Sequence, residues 1–276
     1  MRAGVIGYPV LHSRSPAIHE AAARAIGLHL DYRAISVAPA DLAEAITTMR
    51  RTGMRGMSVT MPHKHNVMEF LDELTPAAVE LGAVNHITNT NGHLVGNNTD
   101  GEGFLLGLSA AHGIDVAEQH IGVVGAGGAA RAIVRACALA GASQVSVIAR
   151  NPQRAADALD VGQEVAAVAT FDVLEQLDIV VNATPVGMSG TTAANDTPFD
   201  VSLLDEGAVV VDIVYEPLET PLLRAARERG LTAVDGLSML AGQAAAQFEW
   251  WTGQPAPLDV MIAAAKVVPS GNPSTP

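Results

Sequence analysis

The chain has 276 residues, enough for two domains with sizeable cores, and carries a formal net charge of −13. That acidic balance excludes nucleic acid and anionic membrane surfaces as main partners. No apolar run reaches the length of a membrane span, and the single cysteine, Cys137, excludes a disulfide framework.

Met1-Arg2 leads straight into a short strand, so no secretory leader is expected and a cytoplasmic protein is the natural reading. Short apolar runs alternate with helical patterns almost throughout, which predicts an α/β chain with mainly parallel sheets. In the first part, strands are expected at Ala3–Gly7, Tyr32–Val37, Gly56–Thr60, Ala83–Thr88 and, after the Asn91-Gly92 turn, His93–Asn97. Helices fit Pro16–Ile26, Ala40–Arg51 and Thr75–Leu81, and another begins near Thr99 or Asp100.

The second part has expected strands at Ile121–Val124, Val145–Ala149, Ile179–Asn182, Val209–Ile213 and Thr232–Val234. Its expected helices are Pro152–Leu159 and Pro221–Arg229. A last helical block starts at Leu237, and residues 269–276, rich in Pro, Ser, Gly and Asn, read as a disordered tail.

Between the strand Ile121–Val124 and an apolar helix running through Arg131–Ala136 lies Gly125-Ala126-Gly127-Gly128-Ala129-Ala130. In that context the G-x-G-x-x-A pattern is a dinucleotide-binding fingerprint; a plain strand–helix turn without a ligand is the alternative. Gly125 allows the tight turn, Gly127 the approach of a pyrophosphate, and Ala130 close helix–strand packing. The N–H groups of the helix start then face the phosphates.

Several segments, in order and over nearly the whole chain, resemble the shikimate dehydrogenase family. They are Gly7-Tyr8-Pro9-Val10-Leu11-His12-Ser13-Arg14-Ser15-Pro16, Ser58-Val59-Thr60-Met61-Pro62-His63-Lys64, Gly82-Ala83-Val84-Asn85 and Asn98-Thr99-Asp100-Gly101. The glycine turn follows, then Asn182-Ala183-Thr184-Pro185-Val186-Gly187-Met188, Asp212-Ile213-Val214-Tyr215-Glu216-Pro217 and Asp235-Gly236-Leu237-Ser238-Met239-Leu240 through Gln243 to Trp251-Thr252-Gly253.

The resemblance implies reversible reduction of the cyclohexene ketone 3-dehydroshikimate to shikimate by a nicotinamide cofactor, in aromatic amino-acid (chorismate) biosynthesis. It also implies a substrate domain, residues 1–104, to which the C-terminal helices 236–268 return, and a Rossmann-like nucleotide domain, residues 105–235. It makes Lys64 and Asp100 the catalytic pair. Lys64 moves the proton of the reacting oxygen, and Asp100 orients it and shares hydrogen bonds to substrate hydroxyls. A carboxylate neighbour raises a lysine pKa and acid–base work asks for a lower one; the sequence leaves open which prevails.

Ser13, Ser15, Thr60, Asn85, Tyr215 and Gln243 join Lys64 and Asp100 as substrate contacts implied by the resemblance. Ser15 is equally well placed to cap the helix at Pro16, and Thr99 to cap the one at Asp100. Beside the glycine turn, Ile213 and Gly236 are implied cofactor contacts. His63 and His65 flank Lys64, but no Cys or carboxylate completes a metal site.

Three positions depart from the family pattern: Glu20 and Ser58 each replace Asn, and His86 replaces Thr beside Asn85. They leave quinate or aminoshikimate open as substrates. A nucleotide-binding protein without catalysis is the rival of another class, against which Lys64 and Asp100 both speak. NAD sites carry an acid about 20 residues past the glycine turn. Here the strand ends in Ala149-Arg150-Asn151-Pro152-Gln153-Arg154, and Arg150 and Arg154 suit a 2′-phosphate, which predicts NADP. A monomer or a homodimer is compatible with all of this.

Overall fold

The computed structural model describes residues 1–267; the tail expected at 269–276 lies outside them. The chain forms two compact units, one of residues 1–99 with those from Ala241 onwards, the other Asp100–Leu240.

In the first unit β1 (Arg2–Gly7), β2 (Asp31–Ser36), β3 (Gly56–Val59), β4 (Glu73–Leu74), β5 (His86–Thr90) and β6 (His93–Asn97) make one sheet in the order β2-β1-β3-β5-β6-β4. β1 pairs in parallel with β2 and β3, but β5 runs antiparallel to both β3 and β6. The sheet is therefore mixed, with β4 parallel to β6, within a chain whose pairing is mainly parallel, as the alternation predicts. The β5–β6 pair follows from the expected turn: Asn91 (φ 54°) and Gly92 (φ 93°) are both left-handed, as a two-residue hairpin requires, and a hairpin can only pair antiparallel strands.

α1 (Ser15–Ala25) buries Ser15, Ile18, His19, Ala22 and Ala23, a stripe at helical spacing. α2 (Leu42–Thr52) and α3 (Pro76–Leu81) each end on a left-handed glycine, Gly53 and Gly82. One sheet face carries Ile6, Met57, Val59 and Ile87 into an aliphatic core with Ile46 and Met49 of α2.

The second unit opens with α4 (Asp100–His112). It continues through β7 (His120–Val124), α5 (Gly128–Leu139), β8 (Gln144–Ile148), α6 (Pro152–Leu159), β9 (Ala166–Ala169), β10 (Ile179–Asn182), β11 (Val209–Asp212), α7 (Pro221–Glu228) and β12 (Thr232–Val234). All six strands are parallel, in the order β12-β11-β10-β7-β8-β9. This is the doubly wound order, with its reversal between β7 and β10, outside which ligands bind. Cys137 is buried in α5, and burial pushes its thiol up to about 12, so it packs as a small hydrophobe.

The last helical block is two helices, α8 (Leu237–Thr252) and α9 (Leu258–Ala265). Gly253 (φ 66°) ends the first, and Pro255 and Pro257 prevent its continuation. α8 and α1 cover the second face of the first unit's sheet. At Gly56 a Cβ would lie 2.2 Å from the Trp251 indole, so only glycine lets that ring reach the sheet.

Candidate functional site

In the first unit, two loops leave the C-terminal ends of β1 and β3 and are tied together at once. Thr60 donates its N–H to Ile6 O at 2.9 Å, and Tyr8 to Met61 O at 3.0 Å. Gly7 makes this approach possible, because a Cβ there would meet Thr60 Cγ2 at 2.5 Å. The second loop is tied onward, Val84 N–H to Lys64 O at 2.7 Å and Val59 N–H to Asn85 O at 2.8 Å. Thr60, Lys64 and Asn85 thus sit on one backbone-bonded framework.

Lys64 is braced on both sides. Buried His63 donates through Nε2 to Val37 O at 2.8 Å, and His65 through Nδ1 to Gly82 O at 3.0 Å. The two rings point to different backbone carbonyls, which gives them a structural task. Among the described residues no group of three His, Cys, Asp or Glu side chains could hold a metal ion.

The serine loop resolves an alternative that the sequence left open. The N-cap of α1 is Arg14, with no side-chain cap bond, and Ser15 is already the first helical residue. Ser15 is therefore not the cap. Ser13 Oγ accepts the Ser15 N–H at 3.2 Å. Arg14 is buried and donates to Ala265 O of α9 at 2.6 Å, which anchors the loop.

Asn85 and Thr99 are buried and doubly joined. Thr99 N–H donates to Asn85 Oδ1 at 2.9 Å and Asn85 Nδ2 to Thr99 Oγ1 at 3.2 Å. Asp100 follows immediately, buried, as the first residue of α4, where the helix dipole favours its charge. Gln243 of α8 lies beside Thr99, whose hydroxyl is 3.3 Å from Gln243 O.

Behind these groups lies a buried polar chain that the sequence reading did not find. Tyr32 OH is 2.7 Å from Ser58 Oγ, Ser58 donates to Gln247 Oε1, and Gln247 Nε2 donates to Gln243 Oε1 at 2.6 Å. Ser58, a departure from the family pattern, is thus a link in this chain. The available signal for Gln247 was its i+4 spacing from Gln243 on an otherwise apolar helix face.

The other two departures face elsewhere. Glu20 pairs with Arg24 at 3.8 Å on the partly exposed side of α1. His86 is fully buried, with its ring 5.3 Å from Trp251 and 5.8 Å from Trp250 and its Nε2 3.0 Å from Thr88 Oγ1. It packs against α8, in an aromatic cluster with His19 and Tyr32, whose rings stack at 4.5 Å. Burial lowers both histidines to about 3.

The second unit carries the glycine turn at the strand reversal. Gly125 has φ 126°, and a Cβ on it would lie 2.8 Å from Ala183 O, after β10. No other residue fits there. Gly127, the N-cap of α5, provides no side-chain cap, and Cβ atoms on Gly127 or Gly128 would meet nothing within 4 Å. Ala126 and Ala129 lie on the same turn, while Ala130 is buried and lets α5 settle on the sheet. An uncapped helix start beside open space is what a dinucleotide pyrophosphate requires, so the residues fit the group.

Arg150 and Arg154 are both exposed, just past the end of β8. Gly125 N–H donates to Ile148 O at 2.8 Å, which fixes the arginine loop beside the turn. Asn151 caps α6, accepting from the N–H groups of Gln153 and Arg154. Ile213 and Gly236 are brought into contact, since a Cβ on Gly236 would lie 2.2 Å from Ile213 O.

Tyr215, partly buried, stands on the loop after β11. Asp212, at the end of that strand, holds this loop. It accepts from Asn182 Nδ2 at 2.9 Å, Val214 N–H at 3.1 Å and Thr220 Oγ1 at 2.7 Å. Burial raises its pKa to about 6 against these three donors.

A doubly wound unit with an uncapped glycine turn, and an α/β unit presenting a lysine, amides and hydroxyls, define a dinucleotide-dependent oxidoreductase. The chain belongs to the shikimate dehydrogenase family. The model of the shikimate dehydrogenase substrate binding domain matches residues 5–87, and that of the shikimate 5'-dehydrogenase C-terminal domain matches 236–266. Between them, residues 120–215 match the model described as NADP oxidoreductase coenzyme F420-dependent.

The shikimate dehydrogenase (NADP(+)) of Symbiobacterium thermophilum is 45% identical, over 98% of this chain and 95% of its own. The crystal structure of the Thermus thermophilus shikimate 5-dehydrogenase in complex with NADP(H) and shikimate has a TM-score of 0.88 at 38% identity, covering 96% of this chain and 98% of that one. The quinate dehydrogenase of Corynebacterium glutamicum in complex with NAD follows at 0.86 and 34%, with the same coverage of both chains.

Proposed function

We propose that this protein reversibly reduces 3-dehydroshikimate to shikimate with NADPH, a cytoplasmic step of aromatic amino-acid biosynthesis. The observation that carries the reading is the bonded framework of Thr60, Lys64 and Asn85, joined through Thr99 to Gln243, in a chain 45% identical to an NADP-dependent shikimate dehydrogenase.

Ketone reduction needs a hydride on carbon and a proton on oxygen; bound NADPH supplies the hydride. The Lys64 ammonium hydrogen-bonds the reacting oxygen and gives it the proton, taking it back in the reverse direction. Ser13 and Ser15 serve the substrate carboxylate. Thr60, Asn85, Asp100, Tyr215 and Gln243 hold the ring hydroxyls. The backbone from Gly125 to Ala130 cradles the pyrophosphate, Arg150 and Arg154 meet the 2′-phosphate, and Ile213 and Gly236 complete the cofactor contacts.

The test is the absorbance change at 340 nm with shikimate or quinate, each with NADP+ or NAD+. Shikimate with NADP+ is expected to give the highest kcat/KM. A higher value for quinate with NAD+ would make the protein a quinate dehydrogenase, and no change with any pair would leave a nucleotide-binding protein without catalysis.

A further inference from the structure

A glutamine amide can be turned by 180° at no steric cost, yet the turn exchanges the donor and acceptor that it shows to a ligand. Gln243 has its orientation imposed by a neighbour. Gln247, one helical turn further along α8 and fully buried, donates from Nε2 to Gln243 Oε1 at 2.6 Å. Gln247 is itself oriented, because Ser58 Oγ donates to its Oε1. Ser58 has one hydrogen, so the Tyr32 phenol at 2.7 Å must be the donor to Ser58. The hydrogens therefore run one way, from Tyr32 to Ser58 to Gln247 to Gln243. Gln247 Nε2 also lies 3.3 Å from Thr99 Oγ1, so the same amide steadies the Asn85–Thr99 pair.

We infer that Gln247, aligned by Ser58 and Tyr32, is a positioning residue that fixes the Gln243 amide so that its NH2 group is turned toward an oxygen acceptor on the substrate ring. This rests on the reading of Gln243 as a substrate contact. A ring oxygen is then recognised by a donor with a set direction, and the discrimination lies in residues that never touch the substrate.

The test is a double-mutant cycle on the full-length enzyme with Gln243→Met, Gln247→Met and the pair, reading shikimate KM, kcat, NADP+ KM and Tm. Met keeps the length of Gln without the amide. Gln247→Met is expected to raise shikimate KM about three- to tenfold, one hydrogen bond's worth, with kcat and NADP+ KM within about twofold. The double variant should be less impaired than the product of the two single effects, because Gln247 acts on the substrate chiefly through Gln243. Unchanged KM in Gln247→Met, or effects that multiply in the pair, overturn the inference while leaving Gln243 a substrate contact. Unchanged KM in Gln243→Met removes the contact itself and the inference with it.

Should Gln247→Met fail to fold, Ser58→Ala removes the donor that aligns Gln247, together with the acceptor of the Tyr32 phenol, while leaving both glutamines in place. It should raise shikimate KM about two- to fivefold, an increase that vanishes in the Gln243→Met background. No increase, or one that persists there, overturns the inference.

Discussion

Asn85 and Thr99 are locked to one another: the Asn85 amide accepts the Thr99 N–H at 2.9 Å and donates to the Thr99 hydroxyl at 3.2 Å. Because Asp100 is the next residue, this pair sets where its carboxylate begins. Asn85→Ala should leave a buried N–H unpaired at a cost of about 1–3 kcal/mol and also raise shikimate KM. Urea unfolding and steady-state kinetics on the same preparation check both effects, and a stable variant with unaltered KM would deny Asn85 any part in the site.

Lys64→Ala should reduce kcat about 10²–10⁴-fold, the usual contribution of a general acid–base group, with a smaller effect on KM. The fold should survive, because the tie to Val84 uses the Lys64 backbone carbonyl. Single-turnover rates at 340 nm provide the measurement, and near-full turnover would remove Lys64 from the mechanism.

Asp100→Asn separates chemistry from helix stabilisation. At the start of α4, loss of the charge costs about 0.3–1 kcal/mol of helix-dipole energy, too little to disturb turnover in a folded enzyme. A fall in kcat of tenfold or more, at a Tm within a few degrees of the parent, is expected. Wild-type kcat would reduce Asp100 to a helix-terminal charge.

Arg150→Asp should shift cofactor preference from NADP(H) toward NAD(H). One charge-assisted bond of about 1.5–3 kcal/mol corresponds to a preference of roughly tenfold or more. The ratio of kcat/KM for the two cofactors, before and after the change, decides it. An unchanged ratio would place the 2′-phosphate elsewhere, and a parent that prefers NAD would end the NADP assignment.

Acid should destabilise the fold below pH 6.5. His19 and His86 are held near 3 by burial, from 6.5 unfolded, so the unfolded chain binds protons first. Their contribution is fully present above pH 6.5 and is lost as pH falls toward 3, at up to about 1.4 kcal/mol per pH unit for each. Asp212 opposes this: its pKa, raised from 3.8 to about 6, contributes stability at low pH that is lost as pH rises through 6. Two imidazoles outweigh one carboxyl, so unfolding free energy should decline from pH 6.5 to 4. His19→Leu should flatten that decline, and an unaltered slope would contradict a neutral buried imidazole.

The α/β alternation, the glycine turn and the family were legible before any folding, because they depend on local periodicity and short motifs. Strands such as Ile179–Asn182 and Thr232–Val234 were readable to the residue, being apolar runs between clear breaks. β9 (Ala166–Ala169) was not readable, since its alanine-rich run on the sheet edge carries no alternating pattern. The motifs that carry the proposed contacts were readable as well, but not the bonds around them. Ser15 as a helical residue rather than a cap, His86 facing aromatic rings, and the chain from Tyr32 to Gln243 depend on which side chains meet. Ser58 and Gln247 are 189 positions apart and share a hydrogen bond only because β3 and α8 pack face to face. Tertiary structure alone decides which way a buried amide points, since both orientations fill the same volume and only its neighbours' hydrogens tell them apart.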